Sequence, residues 1–146
     1  MIDATPQDIT PQDVSVRALE AAMFAMPEKV DLERLTAHHF CEGLYARELF
    51  IPAGTVVVGK RHARQNFFLL VAGELAMATK DGPKVIRAPF MVVTQPGDKR
   101  AVVAITDCTC LNIHSNPDDE RDLVALEAKY ITPEALPAPD AKELLL

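Results

Sequence analysis

The chain has 146 residues, 49% of them hydrophobic and none Trp, enough for one domain with a core of its own. Lys+Arg 15 against Asp+Glu 21 leaves a net charge of −6, which repels nucleic acid and anionic membrane. No apolar run approaches the roughly 18 residues of a bilayer span, and Met1 to Asp8 lacks the basic and apolar stretches of a secretory signal. A cytoplasmic protein is expected.

Residues Met1 to Asp13 are polar, carry Pro6 and Pro11, and show no periodicity, as a terminal arm does. Ser15 caps a short predicted helix over Val16 to Met26, whose apolar residues Val16, Leu19, Ala22, Met23 and Met26 recur at helical spacing before Pro27 stops it. Asp31 to Leu35 adds one further turn. His38 and His39 are adjacent, so in a strand they face opposite sides and cannot jointly hold a metal; one packs and the other is hydrated.

From Leu44 to His114 the chain reads as short β-branched and aromatic runs. They are Leu44 to Ile51, Thr55 to Lys60, Asn66 to Ala72, Glu74 to Lys80, Lys84 to Arg87, Phe90 to Thr94, Arg100 to Thr106 and Cys108 to His114. Gly, Pro or Asp stops each run, at the spacing of about 8–12 residues typical of all-β sandwiches and barrels. Pro52-Ala-Gly54 and Pro96-Gly97 form turns in which Pro presets φ and Gly supplies a positive one. Asp81-Gly82 is the strongest hairpin signal. Cys108 and Cys110 point to one face of a strand, a poor geometry for a mutual disulfide, and read as small core residues. A second helix is expected from Asn116 through Tyr130, acidic over its first turn, with Leu123, Leu126 and Tyr130 packing on the sheets. A Pro-rich tail follows. The division expected is 1–43 as N-terminal arm and helix, packed on the barrel or on a partner, 44–115 as β-barrel core, and 116–146 as C-terminal helix and tail.

The glycine and proline framework of two stretches resembles the cupin motifs. Gly54, Lys60-Arg61-His62, Asn66 and Gly73 stand where the first motif has Gly, His-x-His, Glu and Gly, and Pro96-Gly97-Asp98-Lys99-Arg100 stands where the second has Pro-x-Gly-x-x-His. Leu44 to Thr55, with Gly59 to His62 and Pro96 to Ala101, looks like a group of small cupin proteins encoded by bacteriophages and prophages. The resemblance implies an all-β fold, the cupin double-stranded β-helix or jelly-roll barrel, with a short N-terminal helix and a C-terminal helix. It also implies a homodimer in a host cytoplasm or a virion.

At the four positions where that family holds a metal, this chain has Lys60, His62, Asn66 and Arg100. Only His62 is a competent ligand, and two positions are cationic. The resemblance therefore implies neither metal nor other cofactor. Lys60, His62 and Arg100 converging in the barrel mouth, with Asn66 and His114 beside them, would instead suit a small anion. The plainer alternative pairs Lys60 and Arg100 with Glu48, Asp98 or Glu74 at the rim. Should the face of Cys110, Asn112 and His114 point inward, a rearranged metal set of His62, His114 and Cys110 is also open.

The residues are compatible with three functions. The first is a metal-free binding or assembly protein. The second is a sensor or epimerase-type enzyme for an anionic ligand, with His62 the one candidate catalytic residue. The third is a metal enzyme with a rearranged site. No phosphate loop, nucleophile elbow or DNA-reading helix is present.

Overall fold

A computed structural model of the chain describes residues 31–79 and 81–133. The helix expected over Val16 to Met26 and the tail beyond Pro133 lie outside them. The described chain opens on a 3-10 turn at Leu32–Leu35, capped by Asp31, whose side chain accepts from the Glu33 backbone N–H. Nine strands follow: β1 Thr36–Cys41, β2 Leu44–Ile51, β3 Val56–Val58, β4 Asn66–Ala72, β5 Glu74–Thr79, β6 Gly82–Arg87, β7 Phe90–Thr94, β8 Ala101–Ala104 and β9 Cys108–Ser115. One helix, α1, spans Leu123–Tyr130.

The strands form two antiparallel sheets, in the orders β1-β2-β9-β4-β7 and β3-β8-β5-β6. From β2 to β9 every connection except β5 to β6 passes from one sheet to the other. That wrapping of paired strands is the jelly roll, the double-stranded β-helix of the cupin proteins. β1 adds an edge strand outside the eight. It lies within 1–43, so the sheet begins ahead of the boundary expected at residue 44, in full register with β2 from Thr36↔Leu49 to Cys41↔Leu44.

The core sits between the sheets. Ile51, Leu70 and Cys108 of one sheet meet Leu75 and Ala104 of the other, each at most 1% exposed. Burial of Ile51, Leu70 and Leu75 contributes about 1.5–3 kcal/mol each. Gly73, between β4 and β5, has φ +92°, and a Cβ there would collide with the Asp107 carbonyl oxygen and come within 2.9 Å of Cys108 Sγ. Only glycine lets the two sheets meet at that corner.

The runs Leu44 to Ile51, Asn66 to Ala72 and Phe90 to Thr94 have the strand limits expected of them. Those around the mouth are shorter. β3 ends at Val58 because the chain turns away, the Gly59 N–H donating to Arg100 O at 2.8 Å and the His62 N–H to Asp98 O at 3.0 Å.

Helix α1 starts later than the sequence suggests. Asn116, 1% exposed, accepts from the Glu120 N–H (3.1 Å) and donates to the Glu120 carbonyl (2.9 Å), and Asp119 takes φ +49°. Side-chain bonds of this kind compete with the helical ladder, so the acidic residues form a turn and Asp122 becomes the N-cap. No acidic residue occupies the first helical turn.

Candidate functional site

Strand parity builds the site. On β2 the inward positions are Tyr45, Arg47, Leu49 and Ile51, facing His114, Asn112, Cys110 and Cys108 of β9 in register. A cavity of about 740 Å³ opens along these layers. Toward the Ile51 end of β2 its lining is apolar, with Leu49, Ile51, Val57 and Val102; Arg47 and Asn112 form the next layer, with Arg100 also in the lining; the Tyr45 end carries the aromatic rings. Helix α1 and the 3-10 turn contribute to its lining, and the lining residues Asp31, Glu33 and Glu127 are exposed, marking its solvent side.

Both arginines are largely buried, and burial is the chief cause lowering their pKa. Guanidinium nevertheless remains charged at neutral pH. Arg47 Nη2 donates to Thr36 Oγ1 at 3.3 Å, and Thr36 Oγ1 donates to Leu32 O at 2.6 Å, tying the arginine to the 3-10 turn. Arg100 Nη1 donates to Thr94 Oγ1 at 3.1 Å, and its Cζ stands 4.5 Å from the Phe68 ring centroid. Among the described residues neither guanidinium has a carboxylate ion-pair partner.

His62 sits where the loop after β3 touches the segment after α1, in a β-bridge with Ile131. Its proton can be placed by logic. The Arg64 carbonyl only accepts, so the Asn66 side-chain nitrogen, 3.3 Å away, donates to it. The same NH2 group lies 3.2 Å from His62 Nδ1, which must therefore accept. Asn66 Oδ1 accepts from Asn112 Nδ2 at 3.0 Å, consistent with that orientation. His62 thus carries its proton on Nε2, which has no protein partner among the described residues. Burial, followed by Arg100, lowers its pKa to about 4, so the ring is neutral and offers the cavity an N–H donor.

His114, 4% exposed, has its pKa lowered to about 4 by burial first and His62 second. Its Nδ1 is buried without a hydrogen-bond partner. The ring stacks on Tyr130 at 4.4 Å between centroids, with Tyr45 at 5.8 Å and His62 at 6.1 Å. His38 extends this ring wall, its Nδ1 2.8 Å from Tyr45 Oη, while His39 faces outward to Glu48.

Lys60, His62, Arg100, His114 and Cys110 all line the cavity, and Asn66 lies behind His62. Lys60 differs from the rest because its ammonium is ion-paired, and with Glu127 of α1 rather than with Glu48, Asp98 or Glu74. Among the described residues lining the cavity, the other cation with no ion pair is Arg47, which motif matching passes over because that matching inspects only the positions of metal ligands. The signal was present in the alternation Tyr45-Arg47-Leu49-Ile51, which places an arginine on the buried face.

The rearranged metal set does not form. Among the described residues no group of three or more His, Cys, Asp or Glu side chains could hold a metal ion. Burial also pushes the Cys110 thiol up to about 12, away from the thiolate that a metal needs. The residues present do not fit the metal of the cupin fold.

Strand order defines the class of protein as a cupin-type jelly roll. No protein-family model matches the chain, and no curated protein does. Solved structures similar to it include a cupin-2 domain protein from Shewanella frigidimarina, with 16% identity over 56% of this chain and 79% of that one, TM-score 0.45. A cupin domain from Bordetella pertussis shows 16% identity over 56% and 91%, TM-score 0.44. An acetylacetone dioxygenase from Acinetobacter johnsonii shows 11% identity over 60% and 66%, TM-score 0.46. Likenesses this distant bear on neither ligand nor reaction.

Proposed function

We propose that this protein binds a small organic acid inside its barrel, as a metal-free binding or sensing module. The observation that carries the reading is the pair Arg47 and Arg100: two largely buried guanidiniums line one cavity, and among the described residues neither is ion-paired, Asp98 acting on Arg100 and Glu33 and Glu127 on Arg47 only at longer range. Holding such charges out of water is destabilising unless a counter-anion offsets it. The His62 Nε2–H adds a neutral donor, and the apolar end of the lining accepts the ligand's carbon skeleton. A His62 fixed with its proton on Nε2 is no base at that nitrogen, which supports binding over proton abstraction.

The test is calorimetric titration and thermal shift with a panel of carboxylates and inorganic phosphate. A ligand at 100 times its Kd adds about 2.7 kcal/mol of stability. Arg47→Gln and Arg100→Gln each remove charge-assisted hydrogen bonds and are expected to weaken binding about tenfold or more. If no anion raises the Tm, or if both variants bind as tightly as the parent, the reading is wrong.

A second reading, assembly of two copies, has its own observation. The outer face of the five-stranded sheet exposes Phe50, Phe67, Val71, Met91 and Val93. A phage or prophage setting belongs to this reading and is tested by gene neighbourhood, virion genes favouring it.

A further inference from the structure

The cavity is electrically two-ended. Its lining residues Arg47 and Arg100 are largely buried, while Asp31, Glu33 and Glu127, also in the lining, are exposed and so stand at its solvent side. Glu127 is occupied by Lys60, and the Asp31 carboxylate is engaged as the cap of the 3-10 turn. Glu33 differs: among the described residues it has no ion-pair partner. It is near enough to act electrostatically on both Arg47 and His38, yet it is not ion-paired with Arg47. A purely anionic ligand would pass an acidic solvent side to reach the guanidiniums. A ligand with its own positive group beside its carboxylate would meet complementary charge at both ends.

From this arrangement we infer that the ligand is a small zwitterion, an α-amino acid with an apolar side chain. Its carboxylate joins Arg47 and Arg100, its ammonium faces Glu33, and its side chain enters the space lined by Leu49, Val57 and Val102. The ammonium and carboxylate of an α-amino acid sit on one carbon, so the molecule carries its two charges close together, as the cavity does at Glu33 and Arg47, which act on each other electrostatically. This inference rests on the organic-acid reading above.

The test uses matched sets that differ in one group: L-phenylalanine, 3-phenylpropionate and 2-phenylethylamine, and the corresponding leucine, 4-methylpentanoate and 3-methylbutylamine. In at least one set the amino acid is expected to bind about tenfold or more tightly than the acid, and the amine least. Glu33→Gln is expected to erase that preference, bringing amino acid and acid within about twofold of each other. Acids that bind as well as the amino acids in both sets would overturn the zwitterion while leaving the organic-acid reading standing. A preference that survives Glu33→Gln would overturn Glu33 as the partner of the ammonium. Amines that bind as tightly as amino acids would overturn both readings, and no binding by any of the six compounds would overturn the zwitterion, the organic-acid reading then standing or falling on the wider panel.

Discussion

His62 and His114 show how position decides chemistry. Each imidazole has an ordinary pKa near 6.5, and in the fold each is held near 4, with burial the largest cause. Arg100 and Arg47 lower His62 further while Asp98 opposes them, and His62 and Arg47 act on His114. A depressed folded pKa means that the unfolded chain takes up protons first as the pH falls. The stability that these rings contribute is therefore complete above about pH 6.5 and lost progressively toward pH 4. For His114, 4% exposed, the full loss is on the order of 3 kcal/mol, and less for His62, which faces the cavity. Urea denaturation at pH 7 and pH 5 is expected to show a smaller difference for His62→Gln than for the parent. Equal differences would mean that His62 is not held neutral by the fold. At this scale the sequence was half legible. The motif pointed to His62, Asn66 and Arg100, but what Asn66 does to His62 depends on the Arg64 carbonyl and on Asn112, which only the folded chain brings there.

Elements were legible where punctuation is local and illegible where a distant contact sets the boundary. Asp81-Gly82 predicts the β5–β6 hairpin, and Gly82 does take φ +100°. The start of α1 depends instead on the side chain of Asn116, and β1 depends on pairing with β2 rather than on its own composition. Glycine separates the two cases. Gly54 and Gly73 both have positive φ, at +83° and +92°, yet nothing stands within 4 Å of a Cβ at Gly54, while at Gly73 Asp107 and Cys108 block it. Gly54→Ala should therefore cost only the left-handed backbone penalty, about 1–2 kcal/mol. Gly73→Ala adds overpacking against backbone and should cost about 1–3 kcal/mol more. Denaturant midpoints of the two variants check this, and equal losses would remove the close approach as the reason for glycine at 73.

For the whole molecule, jelly-roll topology explains why the inside of the barrel was easier to anticipate than its outside. Alternation marks one face of each strand as buried, and antiparallel sheets usually present polar residues on the other. Here β4, β9 and β7 do not: Phe67 pairs with Ile113 and Val93, and Leu69 with Leu111 and Met91, so these two rows contain no charge across three strands. Met91 is 60% exposed and Phe67 43%. An apolar surface of this kind marks a contact site. The chain's net charge of −6 repels a second copy at long range, but an uncharged face lets two copies meet without burying like charges. Light scattering of the parent at micromolar concentration is accordingly expected to report a dimer. Met91→Lys with Val93→Lys places cations where the two faces would meet and should yield a monomer whose anion binding is retained, because the cavity opens on the other side of the sheet. A monomeric parent, or a dimer that tolerates both lysines, would assign this face to some contact other than the second copy.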